Sequence, residues 1–279
     1  MKIVVTGAAG QLGAAIVERY AARAEIVPVT RPALDLGDEA AVEAFIAQHA
    51  PDVVINCAAY NDVDGAEDHA PDALRVNAMA VRTLARAATL AGAALVHYGT
   101  DFVFDGLADR PYSEEDEPAP QSVYALSKLL GEWFAADVPR HYVLRVESLF
   151  GGRARRSSVD RIADAIRAGE PSRVFTDRTV SPSYVQDVAD ATWHLLESAA
   201  PGGLYHCVNT GVTTWFELAQ EIGRILDVEP NLVPVTVAEV PMKARRPQYA
   251  ALSNAKLAGA GFRMPGWEDA LRRYLSAVS

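Results

Sequence analysis

The chain has 279 residues, of which 50% are hydrophobic and 22% are charged, a composition typical of a folded protein of enzyme size. Its formal net charge of −10 argues against nucleic acid and anionic membrane surfaces as partners. The two cysteines, Cys57 and Cys207, are too few for a disulfide framework and indicate a reducing compartment. The apolar start, residues 1–17, contains glycines and is too short to span a membrane, so we expect a cytoplasmic protein.

Short β-rich runs alternate with helical segments in the first part of the chain. The runs are KIVVTG, EIVPVT, PDVVINCAA, ALVHYGT and HYVLRVESLF. Between them lie segments with apolar residues at helical spacing, such as QLGAAIVERYAAR, DEAAVEAFIAQHA and PDALRVNAMAVRTLARAATLAG. Apolar strands that alternate with helices are typical of a parallel sheet covered on both faces. The sequence therefore predicts an α/β fold with a Rossmann-type, doubly wound parallel sheet.

The regular alternation then weakens, and proline-bearing loops separate the predicted helices. The segments SSVDRIADAIRAG, VQDVADATWHLLES and TTWFELAQEIGRILD predict three helices. Thr213 or Thr214 caps the last of them, with Glu217 behind it. We therefore expect residues 151–279 to form a smaller, loop-rich C-terminal lobe, with residues 174–198 returning to the main sheet.

A glycine-rich loop joins the first predicted strand to the first predicted helix. The stretch VTGAAGQLG places Gly7, Gly10 and Gly13 between the two elements. Small residues let the backbone approach a pyrophosphate, and the helix N-terminus offers free N–H groups and a positive dipole end. A tight turn without a ligand is the alternative. Spacing and context together favour a dinucleotide site, which makes residues 1–150 the dinucleotide-binding domain.

The end of the second predicted strand bears on the choice of dinucleotide. Sites that prefer NADH often carry an acid here for the ribose 2′-hydroxyl, whereas an arginine accommodates the 2′-phosphate of NADPH. The run VPVTRP supplies Thr30 and Arg31, with no carboxylate before Asp35. A solvated loop arginine is the alternative. We therefore predict NADPH as the cofactor, with NADH as the second choice.

One helical turn separates a tyrosine from a lysine in SVYALSKLLGE, in a chain with only four lysines among its 26 basic residues. Tyr124 and Lys128 stand at i and i+4, where helical side chains share a face. A free tyrosine has a pKa of about 10, and a nearby ammonium favours its phenolate. Such a tyrosine can protonate a carbonyl oxygen as a hydride reaches the carbon. The alternative is an amphipathic helix with a snorkelling lysine.

Thr100 ends the buried run ALVHYGT, directly before Asp101. Ligands of open α/β sheets bind at the carboxyl ends of the strands. A hydroxyl at this place can hydrogen-bond either the substrate carbonyl or the tyrosine oxygen. Thr100 is therefore the third candidate catalytic residue, and a satisfied strand-end hydroxyl is the alternative.

Together these stretches resemble the extended short-chain dehydrogenase/reductase superfamily, and within it the dTDP-4-dehydrorhamnose reductase family. The resemblance covers nearly the whole chain, through VTGAAGQLG, INCAAYNDVDGAED, GTDFVFDG, PQSVYALSKLLGE, GLYHCVNTGVTTWFELA and RRPQYAALSNAKL. It implies an NAD(P)H-dependent oxidoreductase that reduces a keto group on a nucleotide-linked deoxysugar, converting dTDP-4-dehydro-L-rhamnose to dTDP-L-rhamnose. It also implies that the C-terminal lobe binds the substrate.

The resemblance assigns roles to individual residues. The catalytic set is Thr100, Tyr124 and Lys128. The cofactor set adds Gly7, Gly10, Gln11, Leu12, Gly13, Arg31, Asp35, Leu36, Ala58, Ala59, Tyr60 and Asn77 to the tyrosine and the lysine. The substrate set is Thr100, Asp101, Phe102, Ser148, Arg178, Ser181 and Arg246. No residues stand at metal-ligand spacing, so we expect no metal site.

The chain departs from the family in RVESLFGG, where Glu147 and Ser148 replace the usual serine and a substrate-contacting tryptophan. The identity of the sugar therefore stays open. The alternative activity, that of another nucleotide-sugar reductase or epimerase, stays open as well. Related dehydratases carry a glutamate where this chain has Phe102, so elimination lacks an obvious proton carrier beside Asp101. The family also resembles an NADP-binding regulatory subunit without catalysis, and a homodimer is compatible with the sequence.

Overall fold

The computed structural model describes residues 1–278 and places six parallel strands in one central sheet. In chain order the strands are β1 (Lys2–Thr6), β2 (Glu25–Val29), β3 (Val53–Asn56), β4 (Ala94–Thr100), β5 (His141–Val146), β6 (Leu149–Phe150), β7 (Ser172–Phe175), β8 (Thr179–Val180), β9 (Ser183–Tyr184), β10 (Gly203–His206), β11 (Thr213–Thr214) and β12 (Leu232–Val235). The central sheet has the order β10–β5–β4–β3–β1–β2. The chain steps outward from β1 to β2 and then returns to the other side of β1, so the strand order reverses between β1 and β3.

Helices cover both faces of this sheet. They are α1 (Gln11–Tyr20), α2 (Glu39–His49), α3 (Ala70–Leu74), α4 (Ala80–Ala91), α5 (Val123–Ala136), α6 (Ser158–Ala168), α7 (Val185–Glu197), α8 (Trp215–Leu226), α9 (Ala255–Gly259) and α10 (Trp267–Ala277). Ile3 and Val5 of β1 pack with α1 and α7 on one face, while Val4 packs with α2 and α4 on the other. Because successive side chains point to opposite faces, a strand covered on both faces is apolar throughout.

The predicted helix PDALRVNAMAVRTLARAATLAG contains a π-helical turn. The segment Arg75–Met79 is a π-helix between α3 and α4, and Gly92 ends α4 in the left-handed conformation. A π-turn adds a residue to the helical repeat and often occurs at functional sites. The turn carries Asn77, whose side chain is buried.

The second part of the chain has a core of its own between α6, α8 and α10. Phe150, Ile166, Leu218 and Trp267 belong to this cluster. Three pairs of short strands frame it, in which β7 pairs with β12, β8 with β11 and β6 with β9. The predicted cap of α8 is confirmed, because Thr214 and Glu217 form a reciprocal capping box.

The range 174–198, predicted to return to the central sheet, contains α7. Within this range α7 packs on the sheet face beside α1, where the Tyr20 hydroxyl donates to the Ala189 carbonyl at 2.5 Å. The strand that joins the sheet edge is β10, which pairs with β5 and follows the predicted range. Residue 150 as the domain boundary stays a prediction. Within residues 1–278, no helix combines the length and the apolarity needed to cross a bilayer.

Candidate active site

A cleft of about 290 Å³ opens at the carboxyl ends of β1, β3, β4 and β5. This is the edge where the strand order reverses, the usual ligand position in an open α/β sheet. Most of the predicted site residues line it together: Gly10, Gln11, Leu12, Ala58, Ala59, Thr100, Asp101, Phe102, Tyr124, Lys128 and Ser148. The three predicted catalytic residues and five further predicted cofactor residues therefore line the same cleft.

The glycine loop has the geometry that a dinucleotide needs. Gly7 has a φ of 65°, and a Cβ there would come within 2.6 Å of the Ala58 nitrogen. A Cβ on Gly13 would lie 2.3 Å from the Gly7 oxygen, so both glycines bring α1 close to the sheet. Gly10 caps α1 without a side-chain hydrogen bond, which leaves the first-turn N–H groups free for a pyrophosphate. This end of the cleft fits a dinucleotide.

Thr100 lies at the end of β4 and is 6% exposed. Its hydroxyl donates to Asp101 Oδ1 at 3.1 Å and accepts from the Phe102 N–H at 3.3 Å. The hydroxyl thereby caps the short 3₁₀ turn Asp101–Val103. Local bonds hold its oxygen at the cleft wall, where a substrate carbonyl can reach it.

Tyr124 stands in the first turn of α5, held from two sides. The Ser122 hydroxyl accepts from the Ala125 N–H at 3.2 Å, and Glu67 Oε1 accepts from the Val123 N–H at 2.9 Å. The edge of the Phe102 ring meets the Tyr124 ring, with centroids 5.6 Å apart. These contacts fix the start of α5 and so direct the phenol toward the cleft.

Lys128 is 4% exposed, and its Nζ donates to the Tyr98 carbonyl at 2.5 Å. Burial lowers the pKa of the Lys128 ammonium to about 8, and the charges of Glu132 and Cys57 oppose that shift. The snorkelling alternative would need an ammonium in water, so it does not describe this lysine. An ammonium has three donors, and the bond to Tyr98 leaves two for other partners.

Burial has the largest effect on the pKa of the Tyr124 phenol. Burial raises its pKa above the ordinary value, the charge of Asp101 raises it further, and a hydrogen bond with Thr100 lowers it less. The Lys128 ammonium donates to the Tyr98 carbonyl. Its stabilisation of the phenolate stays a prediction.

Asn77 acts behind the cleft wall. Its amide oxygen accepts from the Tyr60 N–H at 2.8 Å, and its amide nitrogen donates to the Tyr60 carbonyl at 3.1 Å and to Ser127 Oγ at 3.0 Å. One buried amide thus joins the loop after β3 to α5. The structure supports a positioning role for Asn77.

The predicted ribose-binding residues lie apart from the cleft residues, after β2. Arg31 and Asp35 are exposed, and Leu36 is half-buried. Asp35 accepts from the Gly37 N–H at 2.9 Å and pairs with Arg75 at 3.3 Å. The Gly37 N–H lowers the pKa of Asp35 most, and Arg75 and Arg31 lower it further. The Arg75 guanidinium therefore pairs with this carboxylate, and the charge of Arg31 also acts on it.

The predicted substrate residues of the second lobe have partners of their own. Arg246 makes a two-point ion pair with Asp64, at 2.9 and 2.8 Å. The buried Ser181 hydroxyl accepts from the Leu252 N–H at 3.2 Å. Arg178 lies over the Phe175 ring at 5.6 Å, and its buried Nε has no hydrogen-bond partner among residues 1–278.

Two features of the site escaped the sequence-based prediction. Asn56 accepts from the Thr6 hydroxyl at 2.6 Å and from the Ala58 N–H at 3.1 Å, so it shapes the loop after β3. Glu147, which sequence reasoning treated only as a departure from the family, is 2% exposed beside the cleft. A polar residue at the carboxyl end of a buried strand is the signal common to both.

The fold and the site together define a class of protein. A parallel sheet with a free helix N-terminus at its reversal point is the dinucleotide-binding architecture. A buried lysine one turn after a tyrosine, beside a strand-end threonine, completes the arrangement expected of the extended short-chain dehydrogenase/reductase superfamily.

Comparison with known proteins identifies the family. Residues 1–279 match the model of the RmlD substrate binding domain family, and the chain belongs to that family. It is 39% identical to a dTDP-4-dehydrorhamnose reductase of Mycobacterium tuberculosis, over 99% of this chain and 93% of the relative. It is 37% identical to a probable dTDP-4,6-dihydroxy-2-methyloxan-3-one 4-ketoreductase of Streptomyces antibioticus, over 98% and 94%.

A solved structure is similar over the full length. The dTDP-4-dehydrorhamnose reductase of Bacillus anthracis, in complex with NADP, superposes with a TM-score of 0.95 at 33% identity, covering 99% of each chain. The predicted family and the predicted Rossmann-type fold are confirmed. The roles of the individual site residues stay predictions.

Proposed function

We propose that this protein is an NAD(P)H-dependent oxidoreductase that reduces the keto group of dTDP-4-dehydro-L-rhamnose to give dTDP-L-rhamnose. The observation that carries the proposal is the single cleft shared by the free N-terminus of α1 and by Thr100, Tyr124 and Lys128. The names of the relatives from Mycobacterium tuberculosis and Bacillus anthracis support this substrate.

The chain's residues perform the proton half of the reduction. A nicotinamide cofactor bound in the cleft would supply the hydride. Tyr124 donates its hydroxyl proton to the ketone oxygen, which the Thr100 hydroxyl holds. Lys128, with two donors beyond its bond to Tyr98, stabilises the phenolate that forms and holds the ribose. The raised pKa of Tyr124 makes it a donor that retains its proton until the ketone oxygen becomes basic.

NADPH is the proposed cofactor, and Arg31 is the residue proposed to select it. Arg31 is exposed, and its charge lowers the pKa of Asp35. Asp35 is the only acid between the end of β2 and Gly37. Arg31→Ala should weaken NADPH binding about tenfold and leave NADH binding within about twofold, because only NADPH has the 2′-phosphate. Calorimetric titration of both cofactors measures this, and equal losses for the two would contradict it.

A different keto sugar is the second candidate substrate. The Streptomyces antibioticus relative, nearly as similar in sequence, is named for a different sugar ketone. Ser148, which lines the cleft with a left-handed backbone (φ 43°), leaves more room there than a tryptophan would. The part of the cleft wall that Ser148 forms is therefore where the protein would discriminate between the two candidate keto sugars.

The experiment that tests the proposal is a substrate panel. The purified protein is incubated with NADPH and several nucleotide-linked 4-keto-6-deoxy sugars, and loss of NADPH absorbance is followed. We expect the highest kcat/KM with dTDP-4-dehydro-L-rhamnose. The proposal would be overturned if the protein reduced the other sugars and not dTDP-4-dehydro-L-rhamnose. It would also be overturned if mass spectrometry showed loss of water from a non-keto dTDP-hexose.

The cellular setting and the assembly belong to the same proposal. Cys57 and Cys207 are free thiols, which supports a cytoplasmic location. A homodimer stays a prediction, and sedimentation velocity at several concentrations would test it.

A further inference from the structure

Two buried acids stand side by side at the ends of neighbouring strands. Thr100 of β4 pairs with Val146 of β5 in the parallel register, so the residues that follow them, Asp101 and Glu147, leave the sheet together. Asp101 is 3% exposed and lines the cleft. Glu147 is 2% exposed and lies behind the wall that its neighbours Val146 and Ser148 form.

Among residues 1–278, no cation contacts either acid. Asp101 accepts from the Thr100 hydroxyl at 3.1 Å. Glu147 accepts from the Ser181 N–H and from the Ser148 hydroxyl, the latter at 3.4 Å. Arg178 lies near enough to act on both charges, yet within residues 1–278 it makes no ion pair with either. Two full negative charges on buried carboxyl groups that follow paired strand positions, with no contacting cation among residues 1–278, would be strongly unfavourable.

The electrostatics of the cluster agree with this geometry. Burial raises the pKa of Asp101 to about 7, while Thr100 and Arg178 oppose the shift. Burial raises the pKa of Glu147 well above its ordinary value, and the charge of Asp101 adds to it. The other titratable or charged groups around the pair and Tyr124 are Lys128 and Glu132 on α5 and Arg178, Asp177 and Arg246 on the substrate side.

We propose that Asp101 and Glu147 act as one carboxyl pair that shares a proton beside the reaction centre, and that Glu147 is a positioning residue acting on Tyr124 through Asp101. The inference rests on the reductase function proposed above. It goes beyond the Thr–Tyr–Lys set, because Glu147 touches neither the cleft nor Tyr124 and replaces the serine expected from the family resemblance.

The pair would set the pH range of the reaction. Tyr124 becomes negative when it gives up its proton, and a negative Asp101 opposes that step. While the pair keeps its last proton, at most one negative charge faces Tyr124 and Arg178 offsets it. When that proton is lost at alkaline pH, a second charge is added and the rate should fall. The two ionisation steps belong to the pair and not to either acid.

Glu147→Gln tests this, because glutamine has the shape of the protonated acid and still accepts from Ser181. We expect kcat/KM near about pH 6 to stay within about twofold, and the alkaline limb to move upward by roughly half a pH unit or more. Glu147→Asp, which keeps a titratable group, should retain the wild-type limb. Coincident limbs for wild type and Glu147→Gln, or a loss of activity at every pH in a folded Glu147→Gln protein, would overturn the proposal.

An infrared measurement of the free protein tests the pair without turnover. The difference spectrum of wild type minus Glu147→Gln at neutral pH should contain the band of a buried protonated carboxyl, and Asp101→Asn should shift that band. A difference spectrum without the band would contradict the shared proton. Failure of the proposed function would look different, since the wild type would then reduce no keto sugar while the band remained.

Discussion

At the scale of single residues, the site is organised around a lysine that the fold buries. Lys128 is 4% exposed in a chain with few lysines, and its ammonium reaches the Tyr98 carbonyl at 2.5 Å. A guanidinium is larger and planar, with donors in a fixed fork, so it cannot replace this ammonium without moving a neighbour. The requirement for lysine is therefore steric as well as electrostatic.

Lys128→Arg should lose most of its turnover. A displacement of about 1 Å at a reacting group can lower the rate about a hundredfold. Overpacking the buried site should also lower stability by about 1–3 kcal/mol, without preventing folding. Steady-state rates and thermal melts measure both effects. Arg86→Lys on the exposed face of α4 is the matched control and should change neither. A Lys128→Arg enzyme with near-normal turnover would make this lysine an ordinary helical residue.

The position of the proposed catalytic residues could be predicted from the sequence, but their electrostatic state could not. Thr100, Tyr124 and Lys128 were expected in one place because strand ends and a helical i, i+4 pair converge by geometry. The pKa of Tyr124 depends on burial and on Asp101, which only the packed structure reveals. Glu147 could not be predicted as a partner of Asp101, because only the β4–β5 register of the folded sheet brings the two residues together.

At the scale of elements, α5 and the π-turn Arg75–Met79 meet at unusually short range. A Cβ on Gly131 of α5 would come within 2.1 Å of the Asn77 carbonyl oxygen. The same π-turn positions the Asn77 side chain on Tyr60 and Ser127. The pattern PDALRVNAMAVRTLARAATLAG predicts a helix. The π-turn within it could not be recognised, because one extra residue in a turn changes the apolar repeat too little. The two-residue strands likewise have no periodic signal of their own.

Gly131→Ala should destabilise the protein and disturb cofactor binding. Overpacking against backbone costs about 1–3 kcal/mol, and the better helix propensity of alanine offsets up to about 1 kcal/mol. Because Asn77 must move, the NADPH dissociation constant should rise. Gly259→Ala is the matched control, since a Cβ there meets nothing within 4 Å. Equal melting temperatures for the two variants, or unchanged NADPH binding in Gly131→Ala, would contradict this coupling.

At the scale of the whole molecule, ion pairs join parts of the chain that are far apart in sequence. Arg246 and the Ala244 N–H both bind Asp64, and Lys243 pairs with Asp68. Arg246 lowers the pKa of Asp64 to about 2. Since this folded pKa is depressed, the carboxylate contributes stability above its ordinary pKa of about 3.9, and that contribution is lost as pH falls toward about 2. The sequence predicts Arg246 as a substrate-side residue. Its pairing with Asp64 could not be predicted, because residues so far apart in the chain form no local sequence pattern.

Asp64→Asn should loosen the substrate-side loop before substrate arrives. We expect KM for the nucleotide sugar to rise about two- to fivefold with kcat nearly unchanged. Without the Asp64–Arg246 ion pair, part of the binding energy of the substrate has to order the loop. Asp68→Asn is the matched control, since its partner Lys243 is half exposed. A KM that stays at the wild-type value, or that rises equally in the control, would show that the Asp64–Arg246 pair does not order the site.

The most direct test of the central claim follows the hydride itself. NADPH labelled with deuterium at the transferable position is supplied with dTDP-4-dehydro-L-rhamnose, and the product is analysed by mass spectrometry and NMR. The wild type should place one deuterium on the carbon that carried the keto group. Tyr124→Phe should bind NADPH within about twofold yet turn over at least about a hundredfold more slowly. A product without the label, or a Tyr124→Phe enzyme with near-normal turnover, would contradict the account.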